Sequence, residues 1–187
     1  MNPRDLPVDA RQILETLHAP PRLVAHLTLV HDVAADLIRS LRNRWPDLPY
    51  DQDAVLFGAA THDVGKVLHP DELDGPGNSH EKDGPPLLER LGIPPERARF
   101  ARTHGTWKEE ADQTCEDLLT ALADTSWKGQ RDEELEKLLA SRIASLQGIE
   151  KWEAFMALDE MLERVAGMAD ERLAWQRQFP ALRDKGP

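Results

Sequence analysis

Residues 54–66 read AVLFGAATHDVGK, an apolar run that ends in an imidazole and a carboxylate side by side, His62 and Asp63, followed by Gly65 and Lys66. The run predicts a helix from about Asp51 to Val64, with Gly65 as its C-terminal stop. Asp63 then falls in the last turn, where the helix dipole disfavours a negative charge. Burial of an unpaired carboxylate there would cost about several kcal/mol. A bound cation removes both objections. For the dipeptide alone, a hydrogen-bonded core histidine beside a local acceptor is the simpler account.

The other histidines change the balance. The chain has seven, at positions 18, 26, 31, 62, 69, 80 and 104. His26 lies in helical spacing between Leu23 and Val30, His80 opens a helix after a Gly-rich loop, and His104 closes another at RTHG. Asp124 is an acid inside the otherwise apolar LLTALADTSW. Separate helices thus each turn one metal-compatible side chain inward. Imidazole nitrogen with carboxylate oxygen suits Fe, Mn, Zn, Co or Ni, with Mg also admitted. The lack of thiolate ligands argues against a structural zinc site, and few protein ligands per ion leave room for the water that catalysis needs.

The elements that must position these groups are helical. Strand-like alternation is nearly absent. VDARQILETLH predicts a short first helix, and Pro20-Pro21 opens a long second one to near Trp45, with Leu23, Leu27, Val30, Ala34, Leu37 and Leu41 as its buried stripe. Ser79 is placed to cap a helix that Pro85 and Pro86 would interrupt or restart. IPPERARFARTH predicts one short helix, and Thr114 caps the next. Two amphipathic helices then follow, RDEELEKLLASRIASLQ and EKWEAFMALDEMLERVAGMADERLAWQRQF. The expectation is an all-α bundle of about seven or eight helices: an N-terminal helix in residues 1–19, a core over 20–131, and C-terminal helices in 132–187 that pack on the core or form an oligomer surface, as in a homodimer.

Composition narrows the classes. The 187 residues suffice for one domain and its core. With 34 acidic and 23 basic residues, the formal charge is −11. That argues against nucleic acid or an anionic membrane surface as partner, and for a small substrate. The lone cysteine, Cys115, excludes an intramolecular disulfide and fits a cytoplasmic setting. No signal-peptide pattern or run of about 18 apolar residues is present.

Taken in order, His26, His62-Asp63 and Asp124 resemble the HD-domain metal-dependent phosphohydrolase superfamily, whose signature is a His, a His-Asp pair and a distant Asp. HDVGK resembles the common HD-x-G-K form, and ALADTSWKGQR the segment around the last Asp. SHEKDGPPLLERLGI and FARTHGTW match the two extra histidines of longer members. The resemblance covers roughly residues 20–131. It implies a helical bundle with a central metal site: His26, His62, Asp63 and Asp124 on a first metal, with Asp63 bridging to a second held by His80 and His104. Gly105 departs from the HD-GYP branch, which usually has a second His there, and no GYP signature is found. That speaks against cyclic-di-GMP as substrate and leaves the second metal short of a ligand.

The reading that follows is hydrolysis of a phosphate ester or anhydride of a small nucleotide or related phosphate by a metal-activated water. Asp63 and Lys66 are the catalytic candidates, and Lys66, Lys128 and Arg131 the substrate-binding ones. The alternatives are an HD-fold diiron oxygenase, or a metal or nucleotide sensor without turnover. His31 and Asp32 repeat the dipeptide but are expected at an edge or the surface. His18 and His69 are expected to be exposed. The five tryptophans are read as core or interface rather than as a base-stacking platform.

Overall fold

Proline suits the first turn of a helix because its missing N–H has no partner there in any case. Pro21 begins α2 (Pro21–Arg44), the longest element of the computed structural model, which describes residues 1–110 and 112–180. The chain runs α1 (Val8–Thr16), α2, α3 (Gln52–Thr61), two 3₁₀ turns (Val64–Val67 and Pro70–Leu73), α4 (Ser79–Arg90), α5 (Pro95–Ala98), α6 (Phe100–Thr106), α7 (Cys115–Ser126), α8 (Glu133–Gln147), α9 (Lys151–Ala166) and α10 (Ala169–Gln176). The described residues are all-helical, as the sequence predicts.

Among the described residues there are ten α-helices rather than seven or eight, because two expected helices are each broken in two. IPPERARFARTH bends at Arg99 into α5 and α6. The last amphipathic stretch breaks at Gly167-Met168. There the buried Arg172 turns back and donates from Nη1 to the carbonyls of Val165 at 2.7 Å and Trp127 at 3.0 Å, at the ends of α9 and α7.

All six stripe residues of α2 are buried. Each of the leucines and the valine contributes about 1.5–3 kcal/mol over an exposed side chain. The inner face of α2 joins two apolar clusters. Val30, Leu37 and Leu41 pack with Leu118 and Leu122 of α7 and with Leu139, Ile143, Leu158 and Leu162 of α8 and α9. Leu23 and Leu27 pack with Leu14, Phe57, Val64, Leu88 and Ala101. His26 lies between these two sets on the same helix. The C-terminal helices therefore share the main core, while Trp152 and Met156 of α9 stay exposed. Residues 181–187 of the expected C-terminal segment lie outside the described residues.

Five local expectations are corrected. Gly65 is not a helix stop. It sits inside the first 3₁₀ turn, and a Cβ there would lie 2.2 Å from the carbonyl oxygen of His80. It is the point where α4 crosses the chain just past Asp63. Nor does Ser79 cap α4; the Glu72 carboxylate does, accepting the backbone N–H of Ser79 at 3.0 Å and of His80 at 3.1 Å. Pro85 and Pro86 leave α4 uninterrupted. Last, His31 and Asp32 are buried rather than at an edge. Asp32 anchors the N-terminal arm through the Arg4 guanidinium at 2.6 Å and the Arg4 N–H at 3.0 Å. His69 is half-buried and meets Asp83 at 2.7 Å, whereas His18 is exposed as expected. Thr114 caps α7 as expected, reciprocally with Asp117.

Candidate metal centre

Helix ends and helix middles both deliver side chains to one point. The α3 helix ends at Thr61, so His62 and Asp63 occupy the turn between it and the 3₁₀ segment, both almost fully buried. His26 comes from the second turn of α2 and Asp124 from the last turn of α7. His80 stands at the start of α4 and His104 near the end of α6.

Asp63 is the hub. Its Oδ2 lies 3.1 Å from Nε2 of His26 and 3.7 Å from Nε2 of His62. Asp124 Oδ1 closes that side, 3.2 Å from His62 Nε2 and 3.4 Å from His26 Nε2. The other oxygen, Oδ1, faces Nε2 of His80 at 3.0 Å and of His104 at 3.5 Å. One carboxylate thus serves two separate groups of imidazoles.

The outward nitrogens of three rings are fixed. Nδ1 of His62 meets the Ala59 carbonyl at 3.0 Å, Nδ1 of His104 the Phe100 carbonyl at 3.1 Å, and Nδ1 of His80 the Glu72 carboxylate at 2.6 Å. Those oxygens only accept, so each Nδ1 donates its proton. Nε2 of each ring thereby points inward, at Asp63 Oδ1 for His80 and His104 and at Asp124 Oδ1 for His62, the orientation that such outer acceptors give metal-binding histidines.

The electrostatics run the same way. Burial would lower the His26 pKa, but hydrogen bonds to Asp124 and Asp63 outweigh it and raise it to about 9. The protonated His26 Nε2 faces three acceptors, His62 Nε2 at 3.2 Å and the two carboxylates. Burial holds His62 below its ordinary value. Burial opposes ionisation of Asp63 and Asp124, yet the surrounding imidazoles keep both well below the usual carboxylate range. Two buried carboxylates are thus held ionised by the imidazoles around them, and a bound cation would take the place of the imidazole protons that do so. The His26/His62/Asp124 set and the His80/Glu81/His104 set each bring their ligand atoms within 4.8 Å of one another. The donor set fits a divalent transition-metal ion in either place.

A cavity of about 220 Å³ opens on the His26 side, lined by Arg22, Asp63, Lys66, Asp124, Trp127 and Lys128, among others. Lys66 turns back from the 3₁₀ segment, its ammonium 2.5 Å from Asp63 Oδ2. Lys128 lines the cavity, but Arg131, expected beside it, does not. Arg131 is held by Glu136 at 2.7 Å, Asp159 at 2.6 Å and Glu163 at 3.2 Å, acids of α8 and α9 that draw it to the far side. The structure adds residues that the sequence reading left out. Arg22 lies one helical turn before His26, a spacing the sequence contains. Trp127 packs edge-on against the His26 ring, with centroids 5.1 Å apart, while belonging to the core. Gln176 reaches the cavity from α10, and no local pattern marks it.

The family model described as HD domain matches residues 23–126, more than half of the chain and the span holding all six candidate ligands. No solved structure matches the chain significantly. No described helix is long and apolar enough to cross a membrane.

Proposed function

The chain belongs to the HD domain family, and from that premise we propose that it is a metal-dependent phosphohydrolase acting on a phosphate ester or anhydride of a small nucleotide or related phosphate. The observation that carries the reading is the Asp63 carboxylate, shared between two imidazole groups at the wall of a cavity that Arg22, Lys66 and Lys128 line.

His26, His62, Asp63 and Asp124 would hold one divalent cation, and His80 and His104 with Asp63 Oδ1 a second. Bound there, such cations supply a water acidic enough to attack near neutral pH. The protein's own part is binding and orientation. Arg22, Lys66 and Lys128 offer three cations to the oxygens of a phosphoryl group and oppose the charge that rearranges on them in the transition state. The cavity accommodates the reacting phosphate and its immediate substituent, so the remainder of a nucleotide would extend toward the mouth. With a net charge of −11, the protein repels long polyanions, which favours a small substrate over nucleic acid. The same three cations favour phosphate chemistry over oxygen activation, the other reaction such a ligand set can support.

The test combines metal analysis of the purified protein with phosphate release from nucleoside mono-, di- and triphosphates after reloading with Mn, Fe, Co, Zn or Mg. Metal-dependent release that Asp63→Asn abolishes, together with most of the bound metal, is the expected result. No release with any metal, or oxygen uptake by an iron-loaded form instead, would overturn it.

A further inference from the structure

We propose that Glu81 is the carboxylate ligand of the second metal subsite, occupying space that Gly105 leaves open. The inference rests on the metal-centre reading above and names the donor that reading lacks. Around Asp63 Oδ2 stand three further donors, from His26, His62 and Asp124. Around Oδ1 stand only His80 and His104. Two imidazoles and half of a shared carboxylate hold a divalent ion less fully than the first set does.

Glu81 follows His80 at the start of α4, and its carboxylate lies within 4.8 Å of ligand nitrogens of both His80 and His104. It reaches them because the residue after His104 is glycine. A Cβ at position 105 would lie 2.1 Å from Oε1 of Glu81 and 2.5 Å from its carboxyl carbon. No side chain at 105 can share that volume with Glu81. The missing ligand side chain at 105 and the carboxylate from 81 are therefore one exchange: a donor from α6 is replaced by a donor from α4.

The charge is unused in any other way. No hydrogen bond or ion pair holds the Glu81 carboxylate among the described residues. Arg102, which lines the same outer cleft, is paired with Glu110 at 3.0 Å. A half-buried carboxylate facing two imidazoles, with no hydrogen bond or ion pair of its own among the described residues, has both oxygens available to a metal ion. With Glu81 included, each subsite has two imidazoles, one carboxylate of its own and one oxygen of Asp63. Two ions of charge +2 then meet three carboxylates, leaving a net positive centre for an anionic substrate.

The experiment is a titration of metal-free protein with Mn²⁺ and with Co²⁺. Calorimetry and equilibrium dialysis give stoichiometry and affinity, and the visible Co²⁺ spectrum reports ligand changes. The wild type is expected to bind two equivalents. Glu81→Gln should weaken the second by roughly 10-fold or more and leave the first unchanged, a loss at least as large as that from removing an outer-shell partner. Gly105→Ala retains the carboxylate but displaces it, and should give the same loss. The double variant should be no worse than either single one, because all three lack the same contact. Circular dichroism checks the fold; if Gly105→Ala fails to fold, Glu81→Gln alone decides. Wild-type affinity for both equivalents in Glu81→Gln, or additive losses in the double variant, would overturn the assignment of Glu81 alone. A wild-type protein binding one equivalent would also overturn it. One binding none would overturn both it and the metal-centre reading.

Discussion

Glu72 Oε2 lies 2.6 Å from Nδ1 of His80 while the same carboxylate caps the first two N–H groups of α4. One side chain therefore starts the helix and sets the rotation of the imidazole that the helix carries. Partial burial opposes ionisation of Glu72, but the His80 ring and the two backbone donors outweigh it and hold the pKa at about 2. Its charge persists across the working pH range, and His80 keeps Nε2 aimed at Asp63 Oδ1. Glu72→Ala is expected to weaken metal binding at the His80 subsite by roughly 10–100-fold. Loss of the cap should cost about 1 kcal/mol. Metal titration and a thermal melt read the two effects separately; unchanged metal affinity would remove Glu72 from the site's support.

Gly65 supports the same subsite from the other side. Its Cα faces the His80 carbonyl so closely that alanine would force α4 outward. Overpacking of this kind costs about 1–3 kcal/mol. Gly65→Ala should therefore lower the melting temperature by several degrees, at about 2–4 °C per kcal/mol for a domain of this size. It should also weaken metal binding at the His80 subsite more than at the His26 subsite. A variant with wild-type stability and both affinities intact would show that the crossing yields at little cost.

These two residues show where the sequence was readable and where it stopped. His26, His62, Asp63 and Asp124 are legible because each is polar where a helical pattern is apolar, His80 and His104 because they stand at helix ends in the family's motif order, and the structure brings all six together. The stripe of α2 was readable for the same reason. Glu72 was not, since an acid in a polar loop looks solvated until the fold brings it to α4. Arg131 lies away from its expected place because its acidic partners come from α8 and α9, 5 to 32 residues away. Gly65 looks locally like a helix stop because its actual constraint, the His80 carbonyl, comes from another helix.

Lys66 is the cation nearest the shared carboxylate, its ammonium 2.5 Å from Asp63 Oδ2. A metal ion on that oxygen would repel the ammonium toward the cavity that Lys66 lines, where a phosphoryl oxygen would meet it. Its worth should then be greatest in the transition state. By analogy with loss of one electrostatic donor, Lys66→Met should lower kcat roughly 10²–10³-fold, or about 3–4 kcal/mol. Metal content should not fall, because lysine is not a ligand. Lys66→Arg should recover part of the rate, the guanidinium being larger and differently forked. Turnover and metal content on one substrate for the three proteins settle it, and near-wild-type kcat in the methionine variant would confine Lys66 to a structural ion pair.

His31 makes a pH prediction that is independent of catalysis. It is buried on α2, and its Nδ1 has no hydrogen-bond partner among the described residues. Burial, with some repulsion from Arg4 and only partial compensation by Asp32, lowers its pKa from 6.5 to about 4. The folded ring stays neutral while the unfolded chain takes up a proton. The unfolded state thus binds more protons between about pH 6.5 and pH 4, and stability falls as pH falls through that window. Above about pH 6.5 both states are neutral, so the contribution is complete there; below about pH 4 both are protonated and the slope ends. At 1.36 kcal/mol per unit, the loss by pH 4.5 is on the order of 2–3 kcal/mol. Replacing the ring by His31→Leu removes both the titration and the unpaired nitrogen. Urea melts of metal-free protein at pH 7.5, 5.5 and 4.5 should show the wild type losing stability more steeply than the variant, the gap widening by that amount. Parallel curves would mean that the folded protein lets His31 take its proton, through water or local opening.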